Sequence, residues 1–381
     1  MKLNDVATTL MEAISIKYNN MVYEMKARGE DIVVLSLGEA FFDIPMLSFD
    51  RLAYPDLYHY SHSRGLPTLR EKISIYYSDR YGVDADPDAE ILMTAGSKIG
   101  IYYALLSIVE QGDEVLLLEP YWVSYTEQVR LVGANPVTVP VGESISDLDR
   151  YVTDRTRAVI LNNPQNPTGR NFNRDEVEQV FAFAVRHGLW VIADEAYSDF
   201  VSSSERFTSF GAVDTKFERT IIVNSISKNF GISGWRIGYM LSNPSVIDTA
   251  LKITQHTMTC APTVLLMYLD RYFDHILEFT MPQISDLLAK RERIATHLEN
   301  EGLTVETGNA TFYFFVRTAP SRLDSVEFCN QLLAKYKVVA VPGIGYGKSC
   351  DQFIRISIGT ESDERILSGL KRIKQLIVES S

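Results

Sequence analysis

Five short apolar runs constrain the fold of this chain more than any other feature. Ile91 to Met93, Val115 to Leu118, Ala158 to Leu161, Trp190 to Ala193 and Ile221 to Val223 contain no polar residue. Each is too continuously apolar for a strand with one wet face. Such runs suit strands covered on both sides, as in a mostly parallel sheet layered with helices. Helical stretches stand between them, among them Ile99 to Val109 and Arg174 to Arg186. An α/β layer is therefore expected from about Ile91 to Met240. Further on, a helix is expected from about Met281 to Asn300, with Ile284, Leu287, Leu288, Ile294 and Leu298 near one face. Strand-like "TFYFFV", "VVAVP" and "FIRISI" follow, and a closing helix from about Glu361 to Val378. The first 30 residues read as mostly helical and are expected to pack with this C-terminal part. The division expected is a large domain over 46–285 and a smaller α+β domain built from 1–45 and 286–381.

Charge and cysteine usage exclude several functions. With 37 Lys and Arg against 49 Asp and Glu, the net charge of −12 repels a phosphate backbone, and no Lys/Arg block offsets it, so no nucleic-acid partner is expected. Cys260, Cys329 and Cys350 show no CxxC spacing and the six histidines form no HExxH or HxxxH pair, so neither a metal site nor a disulfide framework is expected. Asp5 and Glu12 interrupt the apolar core that a signal peptide would need, and no stretch approaches the ~18 apolar residues of a membrane span. A soluble, cytoplasmic chain with no membrane partner is the expectation.

What stands just downstream of the apolar runs is informative. Gly96, Ser97 and Lys98 follow the first; Asn162 to Gly169, including Asn166, follow the third; Asp194 to Tyr197 follow the fourth; Asn224 to Lys228 follow the fifth. Ligands of open α/β sheets sit outside the carboxyl ends of the strands, where loops converge and helix N-termini offer free N–H groups. An amide, an acid, hydroxyls and an amine thus reach one rim.

Each residue also has a plainer reading. Lys228, behind a core strand and before Gly231 and Gly234, is either a solvated loop lysine or a partly desolvated amine able to form a Schiff base. Asp194 either caps a helix or pairs with a cationic ring nitrogen. Arg236, between Gly234 and Gly238, is either a surface cation or a fork for a phosphate.

Taken together, the motifs resemble a known family. The string "SISKNFGISGWRIGY", Ser225 to Tyr239, resembles the cofactor-lysine signature of class I/II pyridoxal-phosphate aminotransferases, the aspartate aminotransferase family of fold type I. In family order, "YSHSRGLPTLR" resembles the YxxxxGLPxLR segment, "PYWVSY" the aromatic loop, "NNPQNPTG" the NPTG turn and "ADEAY" the DExY strand end. "GNATFYFFV", "VVAVPG" and "FIRIS" resemble the small-domain pattern that ends in a carboxylate-binding arginine. The resemblance spans the chain from about Leu35 onward.

It implies a fold type I enzyme: a large domain with a mostly parallel seven-stranded sheet covered by helices, and a small α+β domain. The implied activity is transfer of an amino group from an amino acid to a 2-oxo acid, through an internal aldimine of pyridoxal 5'-phosphate on Lys228 and a pyridoxamine phosphate intermediate. Lys228 would also move the proton between Cα and the cofactor. Asp194 would keep the pyridine nitrogen protonated, Asn166 and Tyr197 would hydrogen-bond the phenolic oxygen, and Trp122 would stack on the ring. Ser225, Arg236 and the start of a helix at Gly96, Ser97 and Lys98 would cradle the phosphate. Arg355 would fork onto the substrate α-carboxylate, with Gly38, Trp122 and Asn166 beside it. Tyr60 matches a tyrosine that reaches the phosphate of the neighbouring subunit, which implies a homodimer with shared active sites. Lys98 matches a lysine that contacts the distal carboxylate in one bacterial subgroup and tilts the donor toward aspartate or glutamate.

Departures affect substrate choice. Gly38-Glu39-Ala40-Phe41-Phe42 stands where many members read "GEPDF", and "RISIGT" ends the arginine motif where an aromatic residue and Ala usually follow the serine. An eliminating relative such as a C–S lyase is the alternative chemistry. A non-enzymatic effector sensor is disfavoured, because no helix-turn-helix or basic extension provides an output. "PGIGYGKS", Pro342 to Ser349, resembles a phosphate-binding P-loop, but Pro342 stands where Gly is needed and a strand-like stretch follows where a helix is required. No GxGxxG supports a dinucleotide site.

Overall fold

The computed structural model describes residues 2–52, 55–202, 205–306 and 308–381. Two helices, α1 (Asp5–Thr9) and α2 (Ile14–Ala27), precede a short strand, β1 (Val33–Val34), and helix α3 (Pro67–Tyr81) leads into the large sheet. That sheet contains β2 (Ile91–Thr94), β3 (Glu114–Leu118), β4 (Asn135–Val139), β5 (Thr156–Asn162), β6 (Trp190–Asp194), β7 (Thr220–Ser225) and β8 (Gly238–Leu241), in the order β2-β8-β7-β6-β5-β3-β4. β8 runs antiparallel to both of its neighbours and the other pairs are parallel. The mainly parallel seven-stranded sheet implied by the resemblance is the one observed. All five apolar runs are strands. The two strands outside those runs have local reasons to look different: β4 is an edge strand with Asn135 and Pro136 at its start, and β8 follows a glycine-rich turn.

The connecting helices are α4 (Ser97–Ile108), α5 (Tyr125–Leu131), α6 (Arg174–His187), the single turn α7 (Ile226–Asn229) and α8 (Pro244–Thr257). They bury both faces of the sheet. Ile91 and Met93 of β2 point into one core with α3 and α6, while Leu92 points into the other with α4 and α8. In β5, Val159 and Leu161 face the first core and Ala158 and Ile160 the second. This is a period of two with apolar residues in both phases, which is why the runs appear unbroken in the sequence.

Helix α9 (Thr263–Asn300) extends farther upstream than Pro282 suggests. Met281 looks like a start because proline favours the first helical turn, yet here Pro282 lies within the helix. Leu266, Leu269 and Ile276 of α9 pack in the large core, and Ile284, Leu288 and Leu298 in a second core. That second core holds α2, α10 (Ser325–Tyr336), α11 (Asp363–Glu379) and residues of β9 (Tyr313–Arg317) and β12 (Phe353–Ser357), which with β11 (Val341–Pro342) form an antiparallel sheet in the order β11-β12-β9. β1 pairs in parallel with β10 (Val338–Val339), so the N-terminal segment is tied into this C-terminal part. Among the described residues, no helix is long and apolar enough to cross a membrane.

Candidate active site

Six strands of the large sheet share one direction, so their carboxyl ends form a single rim. The antiparallel β8 begins at that same rim, which brings the Arg236 segment to it. A cavity of ≈ 520 Å³ lies there, closed from the far side by Gly38, Tyr313 and Arg355. Ser97, Lys98, Trp122, Asn166, Asp194, Tyr197, Ser225, Lys228 and Arg236 all line it. Gly96 caps α4 just behind Ser97 with φ +89, and a Cβ there would stand 2.6 Å from an Arg236 guanidinium nitrogen. Only glycine permits that turn and that approach. Tyr60 stands apart on the surface, 84% exposed.

Local hydrogen bonds fix these positions. Asn162, ending β5, donates from Nδ2 to the carbonyl of Asp194 (2.9 Å) and accepts from the Asn166 N–H (2.7 Å), joining two strand ends and setting the following turn. Ser225 ends β7 and caps α7, its Oγ accepting from the Ser227 N–H, so Lys228 emerges from one short helical turn. Lys228 Nζ donates to the Gly38 carbonyl. Behind this turn, Asn229 Nδ2 donates to Asp199 Oδ2 at 3.0 Å and to Tyr76 Oη at 2.8 Å, anchoring it to α3.

The electrostatics are lopsided. Lys98, Lys228, Arg236 and Arg355 face the cavity, and among the described residues none of them forms a salt bridge. The acids lining the cavity are Asp194 and Glu39. Burial lowers Lys228 to about 8, opposed by Glu39 and assisted by Arg355 and Arg236. Burial also raises Asp194 to about 6, opposed by hydrogen bonds from Tyr125 Oη (2.6 Å) and the Ala196 N–H (3.2 Å). Lys98 is lowered by burial and by Arg236, with its Nζ 4.9 Å from the Trp122 ring centre. Arg355 is 3% exposed and donates to the Ser36 carbonyl and, at 3.5 Å, to Asn166 Oδ1, while its Nε has no partner among the described residues. A buried guanidinium with an unused donor, two further cations at a helix start and an isolated carboxylate across the cavity suit a guest with two anionic ends and a cationic ring.

Sequence motifs do not single out five residues that matter here. Tyr125 holds Asp194, and Tyr313 meets both Tyr197 (2.9 Å between hydroxyls) and Arg355. Ser15, Ile16 and Asn19 of α2 line the mouth of the cavity. The first two lie within quoted motifs but at positions that look like ordinary core aromatics; a helix start far upstream in sequence gives no local signal of proximity.

Residues 30–373 match the family model described as aminotransferase class I and II. The chain belongs to this aminotransferase family. Relatives of this class I/II aminotransferase include the aspartate aminotransferase of Pyrococcus abyssi, 32% identical, with 94% of this chain and 95% of the relative covered. The aromatic-amino-acid aminotransferase 2 of Thermococcus litoralis is 30% identical, with 97% of each covered. Among solved structures, the Thermus thermophilus aspartate aminotransferase with maleate superposes with a TM-score of 0.90 at 26% identity, covering 99% of this chain and 100% of that one. The fold type I architecture implied by the motifs is therefore the fold of the aminotransferase.

Proposed function

We propose that this aminotransferase binds pyridoxal 5'-phosphate in the rim cavity and uses it to move an amino group from an amino acid, with aspartate or glutamate preferred, to a 2-oxo acid. The observation that carries the proposal is the set of four cations, none of them in a salt bridge among the described residues, around the buried carboxylate of Asp194, with the most deeply set lysine lowered to about 8. Pyridoxal phosphate, when bound, supplies an aldehyde that condenses with amines and a cationic ring that draws electrons from Cα. The chain's own residues do the rest. Ser225, Arg236 and the N–H groups opening α4 after Gly96 hold the phosphate. Asp194 pairs with the ring nitrogen, Tyr197 and Asn166 donate to the phenolic oxygen, and Trp122 covers the ring face. Arg355 forks onto the substrate α-carboxylate and fixes the Cα–H bond. Lys228 Nζ takes the proton from Cα and returns it to carbon, a task that its lowered pKa suits.

Lys98, with no acidic partner among the described residues, favours a second carboxylate on the substrate. The printed names of the relatives, aspartate in one and aromatic in another, leave that choice to this chain's own residues. The same proposal includes a homodimer, supported by exposed apolar side chains close to Tyr60 in the sequence, namely Met46, Phe49 and Tyr58. It also includes a cytoplasmic setting, supported by three free, buried cysteines.

Borohydride reduction of the holoenzyme followed by peptide mapping is the direct test. A reduced adduct on Lys228 is expected, and an adduct on any other amine overturns the assignment. With each donor supplied alone, transamination leaves the amino group on the enzyme, whereas release of ammonia and pyruvate would indicate elimination instead. Lys98→Ala is expected to lower kcat/KM for aspartate about tenfold while changing alanine less than threefold.

A further inference from the structure

Tyr313 opens β9 and is fully buried beneath the arginine of β12. Its ring meets the Tyr197 ring edge to face, with centroids 5.6 Å apart and planes at 80°, and the two hydroxyls are 2.9 Å apart. The Arg355 guanidinium carbon sits 4.5 Å from the Tyr313 ring centre. Gly38 leaves space for the hydroxyl: a Cβ there would lie 3.2 Å from Tyr313 Oη. Burial lifts both phenols above their ordinary range, so both keep their protons. The charged groups facing the pair are Arg355, Glu39, Asp194 and Lys228, whose Nζ lies 5.7 Å from the Tyr197 ring centre.

The geometry allows either hydroxyl to donate. Among the described residues, Tyr313 Oη has Tyr197 Oη as its one hydrogen-bond partner, and we assign Tyr313 as the donor because that direction gives its buried proton a partner. Tyr197 Oη also receives Asn166 Nδ2 at 3.5 Å, so its own proton is free to point into the cavity. Each bond accepted strengthens Tyr197 as a donor.

We propose that Tyr313 is a positioning residue, whose hydroxyl aims the Tyr197 proton at the cofactor's phenolic oxygen while its ring supports the guanidinium of Arg355. The inference rests on the pyridoxal-phosphate reading of the cavity. Tyr313 thereby links the group that tunes the cofactor to the group that grips the substrate.

The test is a pH titration of the visible absorbance of the holoenzyme. The Tyr197 hydrogen bond favours the deprotonated form of the lysine-bound cofactor, so Tyr313→Phe should raise the midpoint by about half to one pH unit. In a Tyr197→Phe background the same substitution should move the midpoint no further. Tyr313→Leu, which also removes the ring, should raise KM for an α-carboxylate donor about threefold to tenfold above that of Tyr313→Phe. Should Tyr313→Phe fail to fold, Gly38→Ala crowds the same hydroxyl and should shift the midpoint upward too. An unchanged midpoint in the folded variant, or an equal shift in the Tyr197→Phe background, overturns the inference. Absence of a lysine-bound band in the wild-type protein overturns the cofactor reading itself.

Discussion

Tyr125 Oη donates to Asp194 Oδ2 across 2.6 Å, with both side chains buried at the end of β6. The tyrosine comes from the start of α5, so the loop that carries Trp122 also sets the charge state of the acid beneath the proposed cofactor ring. This bond lowers the Asp194 pKa against the larger upward pull of burial. Tyr125→Phe should therefore push Asp194 above about 6, weaken pyridoxal phosphate by about tenfold to a hundredfold, and move the acid limb of its binding curve to higher pH. Equilibrium titration of the cofactor-free protein between pH 5 and 8 measures both effects.

Arg355 presents a guanidinium edge that lysine cannot copy. Arg355→Lys keeps the charge and loses the fork, and KM for α-carboxylate donors is expected to rise about tenfold to a hundredfold. Steady-state kinetics with an amino acid and with the matching amine lacking the carboxylate should separate the two, because the amine has nothing for the fork to hold.

Glu195 sits wholly buried beside Asp194, accepting from Ser209 Oγ (2.9 Å) and the Phe210 N–H (2.9 Å), and burial raises it to about 8. Its folded value exceeds its unfolded one, so the folded chain holds this proton more tightly. The resulting stabilisation is complete below about pH 4.5 and is lost as pH rises through about 8. Glu195→Gln should flatten the fall in Tm of the cofactor-free protein between pH 5 and 8 by a few degrees, read by calorimetry.

Gly347 belongs to the turn that mimics a P-loop, and the structure gives that glycine a different purpose. Glu119, just after β3, accepts from the N–H groups of Lys348 (3.1 Å) and Ser349 (2.9 Å). A Cβ on Gly347, whose φ is +137, would stand 2.3 Å from the Glu119 carboxyl carbon. Gly347→Ala should destabilise the protein by about 2 kcal/mol, visible as a lower urea midpoint at unchanged slope.

Much of this could be read from the chain because each strand end delivers its polar residue within a few positions of an apolar run. Asp194 and Lys228 are legible for that reason, and so are Asn166 and Ser97. Arg355 has no such local mark: it sits within a buried strand, and only its place in an ordered series of motifs distinguishes it from a core-edge cation. Tyr125 and Tyr313 are legible as aromatic core residues, yet their hydroxyl partners, Asp194 and Tyr197, are 69 and 116 positions away. No local pattern encodes a pairing made by tertiary packing. The start of α9 was obscured for another reason, since Pro282 carries the signature of a helix beginning while lying inside one.

That helix spans 38 residues and is kinked at Tyr272, where the backbone leaves helical geometry. One end is sealed among the side chains beneath the large sheet and the other among those of β9 and α11. Neither half of the molecule can melt without fraying a kinked helix that the other half also needs, so the two are mechanically yoked, and loss of one should bring down its neighbour in a single cooperative collapse.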